Sequence, residues 1–291
     1  MRKEMVQILM TDSSHSSKVL LIWSFLLFVQ LFVLPAAGQT SAWILPGEKE
    51  TLAVYSLGGG TSSARETYLS ESTYSGWSVA AVTDSWTGRS GESFMEYRRV
   101  HSDILFSSMT NWLGGGSTWQ VMGNYSYSLE RQVVKSTASD LLLGPVAMIN
   151  IGCLYNRANS NNPATAEGYL ALGLCADYTY RYSIRRYPMV FQTSLYVPLA
   201  GVGFAPDYDQ PYWHMYHYNQ YGRALHFVWP GNNHVFRGQI ALVLPVFDGR
   251  LRVGADLDYY HNRLGGHLRR ITHTQVELGY VFTFEHKAWR L

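Results

Sequence analysis

Residues 118–130 read TWQVMGNYSYSLE, and apolar and polar side chains alternate along most of this stretch. A period of two puts successive side chains on opposite faces of a β-strand, so the stretch predicts a strand with one apolar and one polar face. The apolar face carries Trp119, Val121, Gly123, Tyr125, Tyr127 and Leu129, and the polar face carries Thr118, Gln120, Asn124, Ser126, Ser128 and Glu130.

The same alternation recurs along the chain and defines long strands. It returns near the C terminus at residues 251–260 and 275–284. The strand-like stretches 94–109 and 166–182 are longer than an average strand and reach the ~9 to 11 residues that cross a bilayer at a tilt. Aromatic side chains also gather at the end of one strand, as a membrane-interface girdle requires: Tyr178, Tyr180 and Tyr182. The pattern therefore favours strands that cross a membrane.

Connections between the predicted strands alternate between short and long. The short ones span residues 88–91, 136–139, 184–187 and 248–249, and the mostly longer ones span residues 59–74, 113–117, 156–165, 202–234 and 262–269. Short turns at one end and long loops at the other are typical of outer-membrane barrels. With a first strand over residues 51–57 we count about ten strands, with eight as the alternative. Both chain ends then lie on the periplasmic side.

We therefore predict an all-β fold, an antiparallel up-and-down transmembrane β-barrel of a bacterial outer membrane. A soluble periplasmic sandwich is the alternative, because alternating strands also serve a sheet with one face toward water. Aromatic residues make up 14% of the chain, which suits both strands and membrane interfaces. The formal charge of +2 and the lack of a long basic run argue against nucleic acid as a partner.

The N-terminal segment predicts export. An apolar run over residues 19–34 is followed by PAAG at residues 35–38, which suits cleavage by a signal peptidase after residue 38. An uncleaved anchor is the alternative, although the run is short of the ~20 residues of a membrane span. The predicted organisation is a signal peptide over residues 1–38, a short periplasmic segment over 39–49 and the barrel over 50–291.

The cysteine pattern predicts two free thiols. Cys153 and Cys175 lie in strand-like segments that the alternation places on opposite faces. A disulfide cannot form across that separation.

The last predicted strand carries a motif for assembly. Residues 277–284 read ELGYVFTF, which resembles the polar-x-Gly-x-x-aromatic-x-aromatic signal read by the barrel assembly machinery. We expect that machinery to be a partner through Gly279, Phe282 and Phe284, with outer-membrane lipid around the barrel.

Several further segments carry a resemblance to a known family. They are Thr67 to Ser70, Asn161 to Ala164, Gly168 to Gly173, Arg185 to Pro188, Val197 to Val202, Phe204 to Tyr208 and Leu251 to Gly254. Over about residues 50–287 the chain resembles the family filed as domain of unknown function 3316, found in secreted proteins of Bacteroidetes-type bacteria. The resemblance implies a location in the cell envelope, and it supplies no activity and no site residues.

The connection over residues 202–234 is the longest and the most aromatic, so a functional surface is expected there. Its predicted ligand-contacting residues are Tyr208, Tyr212, Trp213, Tyr216 and Trp229. An alternative is a hydrolase site in which a carboxylate activates a histidine as general base, with Asp207, Asp209, His214 and His217 as the weak candidates. The spacing matches no nucleophile or metal signature, so no metal and no cofactor are predicted.

A second set of ionisable residues is predicted to face the lumen, since lipid-facing positions hold charges only at a cost of ~2 to 4 kcal/mol each. The set is Asp103, Asp177, Arg181, Arg237, Arg252, Asp256, Asp258 and Glu277, with His101 and His273 in the same phase. Ion pairs across the barrel would close the lumen, and a narrow selective pore or a buried catalytic pair is the alternative.

The glycine runs at residues 58–60 and 114–116 are predicted to be turns, because no phosphate-binding Lys-Ser/Thr follows them on a helix. The sequence therefore predicts a structural or binding barrel whose extracellular loops meet a glycan, a lipid or a protein. A lipid or peptide hydrolase with an Asp/His site at the rim and a narrow pore are the alternatives.

Overall fold

The computed structural model describes residues 45–47, 50–90, 95–112, 116–159, 163–185, 187–207, 211–246 and 249–285. The predicted signal peptide and most of the segment 39–49 lie outside these residues, as do Tyr208 and Asp209.

Long antiparallel strands make up most of the described chain. They are β1 (Glu50–Glu66), β2 (Ser70–Ser90), β3 (Met95–Asn111), β4 (Ser117–Lys135), β5 (Ser139–Asn156), β6 (Ala164–Ile184), β7 (Tyr187–Phe204), β8 (Leu225–Val228), β9 (Asn233–Val246), β10 (Gly249–Leu264) and β11 (His267–Glu285). Between β7 and β8 lie a short helix, α1 (Tyr212–His217), and a single 3₁₀ turn (Tyr221–Ala224). Neither of these described helices is long and apolar enough to cross a membrane.

The strands close into a barrel. Neighbours in the chain pair in order from β1 to β7, β1 pairs with β11 along its whole length, and β10 continues the sheet to β9 and back to β7. The short β8 adds only four residue pairs to the end of β7. Without β8 the closed sheet has ten strands, which confirms the predicted ten-stranded antiparallel barrel.

Alternation in the sequence sets which side chains face outward. In β4, Trp119, Val121 and Tyr125 are exposed on the outer wall, whereas Gln120 and Asn124 are buried in the lumen. The same division holds around the barrel, and every one of the ten barrel strands exposes an aliphatic side chain on the outer wall. These side chains, here named the apolar band, are Leu57, Val79, Ile104, Val121, Ile151, Leu172, Leu195, Ile240, Leu257 and Leu278.

Two ends of the barrel differ. The turn rim carries the start of β1, the end of β11 and the connections β2 to β3, β4 to β5, β6 to β7 and β9 to β10. The loop rim carries the other connections, including the longest one, which runs from the end of β7 at Phe204 to the start of β9 at Asn233.

Two predicted long connections are wrong. The glycines at 58–60 lie inside β1, which continues to Glu66, because a strand pairs through its backbone and needs no side chain there. A Cβ at residue 60 would lie 2.0 Å from the Thr274 carbonyl oxygen, so glycine permits a close approach of β1 to β11. The second wrong prediction is the connection over residues 262–269. It consists of only Gly265 and Gly266, whose φ values of 60° and 78° suit a tight two-residue hairpin.

The cysteines are free thiols, as predicted. Cys153 is exposed on the outer wall and Cys175 is buried in the lumen, so the barrel wall separates them.

Candidate functional site

Charged side chains fill the middle of the lumen in cross-barrel networks. Arg99 Nη2 donates to Asp84 Oδ2 at 2.6 Å, and Arg99 Nη1 bonds to Asp177 and to Ser194 Oγ, the latter at 2.8 Å. The guanidinium also lies 4.5 Å from the centre of the Trp86 ring. Every face of this buried cation is therefore occupied, and we name Arg99, Asp84 and Asp177 the Arg99 cluster.

A second network lies closer to the loop rim. Arg237 Nε donates to Asp258 Oδ1 at 3.1 Å, and Arg237 Nη2 bonds to Asp103. His101 Nε2 lies 3.2 Å from Asp103 Oδ1, while Asn124 Nδ2 donates to Asp103 Oδ2 at 2.8 Å. Charge-assisted bonds from several strands thus converge on one carboxylate and its arginine.

Little empty space is left between these groups. A cavity beside Asp103, Arg237 and Asp258 has a volume of about 20 Å³, and another, beside Asp177 and Arg252, has about 10 Å³. Each volume is about what one water molecule needs. Side chains therefore occupy the lumen at these levels.

The structure places the predicted lumen residues as follows. Asp103, Asp177, Arg237, Arg252, Asp258 and Glu277 are buried, and so are His101 and His273. Arg252 Nη1 lies 3.4 Å from Glu277 Oε2, and Asp256 is half-buried beside the larger cavity. Arg181 lies at the turn rim, where it bonds to Asp140 and donates to the Ser136 carbonyl oxygen at 2.9 Å.

A third cluster, at the loop rim, joins the ends of distant strands. Glu66 ends β1, Glu167 lies near the start of β6, and His267 and Arg269 begin β11. His267 Nε2 is 3.3 Å from Glu167 Oε1, and Arg269 Nη1 donates to Glu167 Oε2 at 2.8 Å. These four side chains, here named the rim cluster, are buried. The cluster lies beyond the apolar band, since Arg65 and Arg270 face outward one residue away.

The two carboxylates of the rim cluster differ in how strongly Arg269 stabilises them. Burial, followed by repulsion from the Glu167 carboxylate, raises the pKa of Glu66 well above its ordinary value. Burial also opposes ionisation of Glu167, but the Arg269 guanidinium lowers the pKa of Glu167 to about 2. One arginine therefore serves two carboxylates that face each other.

An aromatic cap covers part of the loop rim. The cap comprises residues 205–207 and 211–232, and the hydroxyl group of Tyr212 holds it to β6 by donating to the Ala166 carbonyl oxygen at 3.2 Å. Burial raises the pKa of Tyr212. The Tyr212 ring lies 6.4 Å from that of Tyr68, which in turn lies 5.5 Å from the His267 ring. An edge-to-face contact and a tilted ring contact thus connect the cap to the rim cluster.

The outer face of the cap presents aromatic side chains to solvent. Trp213, Tyr216 and Tyr218 are 61%, 78% and 57% exposed, and Trp229 is exposed as well. The Trp213 ring stacks on His217 with centroids 5.1 Å apart and an interplanar angle of 8°. Such packing fixes the orientation of the indole ring without covering it.

Of the candidate residues for hydrolysis, Asp209 lies outside the described residues, and the structure does not bring Asp207 together with His214 or His217. Asp207 Oδ2 pairs with Arg223 Nη2 at 3.0 Å, and Asp207 Oδ1 lies 4.0 Å from His226 Nε2. The ring contacts of His214 and His217 are with Trp213 and Tyr218. Within the described part of the chain, neither histidine of α1 lies within 4.0 Å of a carboxylate.

Known proteins resemble this chain in sequence family and in overall fold. The model of a family described as "Protein of unknown function (DUF3316)" matches residues 24–287, and no curated protein matches by sequence. The outer membrane protease OmpT from Escherichia coli aligns with a TM-score of 0.48 and 7% identity, covering 84% of this chain and 100% of that one.

Two further solved structures align over most of the barrel. The transport unit of the autotransporter AIDA-I from Escherichia coli has a TM-score of 0.38 and 9% identity, covering 87% of this chain and 94% of that one. An outer membrane channel from Pseudomonas putida F1 has a TM-score of 0.38 and 9% identity, covering 85% of this chain and 100% of that one.

Proposed function

Because the chain belongs to the family of proteins of unknown function DUF3316, we propose a function from its own residues: it is an outer-membrane barrel that binds an extracellular glycan through its aromatic cap. Three features support the proposal. They are the apolar outer wall, the filled lumen and the exposed rings of the cap.

The outer wall suits lipid better than water. All ten barrel strands contribute an exposed aliphatic side chain to the apolar band, which therefore runs around the whole barrel. Soluble proteins rarely expose contiguous apolar surface of this kind. Aromatic pairs flank the band, with Trp77 and Phe106 toward the loop rim and Tyr55 and Phe282 toward the turn rim. Interfacial aromatic girdles on both sides of an apolar band are typical of outer-membrane barrels.

Charged side chains lie on the outer wall beyond the girdles. Toward the turn rim these are Arg89, Arg98 and Arg131, and toward the loop rim they are Arg65, Arg263 and Arg270. Both chain ends of the barrel and its shortest connections lie at the turn rim, which favours a periplasmic turn rim and an extracellular cap.

The filled lumen favours binding over transport. The Arg99 cluster spans the barrel between β2, β3 and β6, and the neighbouring cavities hold about 20 Å³ and 10 Å³. A hydrated ion needs a continuous water-filled path, and buried ion pairs at this level obstruct it. We therefore expect negligible conductance.

The exposed rings of the cap carry the proposal. Trp213, Tyr216 and Tyr218 lie close in sequence on and after α1, and Tyr212 fixes that helix to the barrel. Aromatic faces pack on the C–H faces of sugar rings, while imidazole and phenol groups bond sugar hydroxyls. A lipid chain would instead favour aliphatic partners. Rigid aromatic side chains also lose little conformational entropy on binding.

A glycan array tests this function directly. The full chain, folded in detergent and labelled on its exterior, should bind a subset of glycans, and the triple variant W213A/Y216A/Y218A should lose that binding. The control is W112A, which removes an exposed tryptophan at the loop rim outside the cap. Equal loss in the control, or full retention in the triple variant, would overturn the cap as the binding surface. Binding only to protein or lipid probes would replace the glycan with that class.

A further inference from the structure

Three potential metal ligands meet in the rim cluster. His267 Nε2 lies 3.3 Å from Glu167 Oε1 and 3.8 Å from Glu66 Oε1. One ligand atom from each residue lies within 4.8 Å of the others, and all three side chains are buried. They come from β1, β6 and β11, so the barrel wall itself brings them together.

The orientation of His267 presents a lone pair to the two carboxylates. Its Nδ1 lies 3.2 Å from the Gly265 carbonyl oxygen, a contact in which the nitrogen donates. In the neutral imidazole Nε2 is then an acceptor, and it faces two carboxylate oxygens that are acceptors too. Metal-binding histidines donate their other ring N–H to a carbonyl in this manner.

One carboxylate oxygen of the rim cluster accepts no hydrogen bond from the described residues. Glu66 Oε1 accepts from the Tyr68 backbone N–H at 3.3 Å, whereas the buried Glu66 Oε2 has no hydrogen-bond partner among the described residues. The nearest cationic atom to it is Arg269 Nε, at 3.8 Å, which is beyond hydrogen-bond reach. Arg269 bonds Glu167, and its Nε is also without a hydrogen-bond partner among the described residues, so Glu66 Oε2 is open to a second positive centre.

We propose that Glu66, Glu167 and His267 bind one divalent transition-metal ion of the Zn²⁺ class. Two carboxylate oxygens and one imidazole nitrogen match the ligands that such ions take, and three protein ligands leave a position for water. Arg269 Nη1 donates to Glu167 Oε2 at 2.8 Å and so orients that carboxylate, whose Oε1 is the atom nearer to His267. Calcium and magnesium fit less well, because they prefer an all-oxygen shell.

Metal binding would also stiffen the extracellular rim. The ion would join β1, β6 and β11, and Tyr68, which follows Glu66, contacts both the His267 ring and Tyr212 of the cap. A ligand that binds only the folded chain raises its stability, so zinc should raise the melting temperature. This site is separate from the glycan surface, and its failure would leave the proposed function intact.

The experiment measures zinc bound by the full chain in detergent after removal of metal with a chelator. Titration calorimetry and elemental analysis should give about one Zn²⁺ per folded chain, and H267A and E167Q should each lower the affinity at least 10-fold. The matched control is H214A/H217A, which removes two exposed histidines of α1 that can hold zinc on a surface. This control should keep both the stoichiometry and the thermal shift.

Heat-dependent gel migration verifies that every variant is folded, so a loss of zinc cannot reflect a loss of structure. If the folded wild type binds no more zinc than H267A does, His267 is an imidazolium within an ion-pair network and the proposal is overturned. Loss of binding in H214A/H217A alone would assign the metal to the helix surface and overturn it equally.

Discussion

The middle of the lumen and the loop rim contain the same kinds of charged residue, but these residues are bonded differently in the two places. In the Arg99 cluster one arginine is enclosed by two aspartates, a serine and the ring of Trp86. In the rim cluster one arginine faces two glutamates, and Glu66 Oε2 lacks a hydrogen bond among the described residues. Arg99 bonds both of its aspartates, whereas Arg269 bonds Glu167 and leaves Glu66 Oε2 at 3.8 Å. A carboxylate that its arginine does not bond, beneath an exposed cap, is suited to binding a further cation.

The largest expected effect is on the stability that the Arg99 cluster gives the barrel. Arg99→Ala leaves Asp84 and Asp177 buried without their cation, which should cost about 3 to 5 kcal/mol of unfolding free energy. Urea unfolding in lipid vesicles, followed by tryptophan fluorescence, measures this cost. Arg98→Ala is the matched control, because Arg98 is exposed on the outer wall and should change stability by less than about 0.5 kcal/mol. Equal effects for the two arginines would refute the inward assignment of Arg99.

The second prediction compares an arginine outside the wall with those inside it. Leu172→Arg puts a charge into the apolar band, where no carboxylate from the lumen can reach it. In a bilayer this substitution should lower the free energy of unfolding by about 2 to 4 kcal/mol. Leu172→Ala separates the loss of the leucine from the gain of charge. If Leu172→Arg is tolerated as well as Leu172→Ala in lipid vesicles, the outer wall does not face hydrocarbon.

A smaller effect is expected in the rim cluster without metal. Glu66→Gln keeps the shape of the side chain and removes one of two adjacent carboxylates, so metal-free stability should change by no more than about 1 kcal/mol. The same urea titration measures it, with Glu71→Gln at an exposed ion pair as the control. A loss as large as that of Arg99→Ala would show that Glu66 is bonded as firmly as the aspartates of the Arg99 cluster.

The smallest effect on stability should come from the cap. Trp213→Ala removes an exposed ring, so the free energy of unfolding should change by less than about 0.5 kcal/mol. Glycan binding should fall in the same variant. Melting curves and array binding on the same preparation test both halves. A large loss of stability would make Trp213 part of the packing of the barrel.

Period-two alternation predicted the two faces of strands such as β4, and strand length with the rhythm of short and long connections added the barrel and its ten strands. It worked because a lipid-facing wall and a polar lumen require opposite side chains at successive positions. The same phase places Asp103, Arg237 and Asp258 in the lumen, although it does not reveal which partners they meet across the barrel.

The rim cluster was missed for a local reason. Glu66, His267 and Arg269 fall in stretches rich in glycine or polar residues, which were predicted to be loops. Backbone pairing extends β1 and β11 through those stretches regardless of side chain. Once the strands are extended, the alternation does point Glu66 and Arg269 inward. Their meeting with Glu167 depends on the barrel closing, which no local pattern encodes.

Protease digestion of the full chain in lipid vesicles tests the account most directly, because it compares the barrel and the cap in one sample. Mass spectrometry should locate cuts within residues 205–232 and near the chain ends, while the ten strands that close the barrel stay intact. The unboiled product should still migrate as a folded barrel. Cuts spread through the strands, or release of the chain from the vesicles without detergent, would contradict a membrane-embedded barrel closed by its own ion pairs.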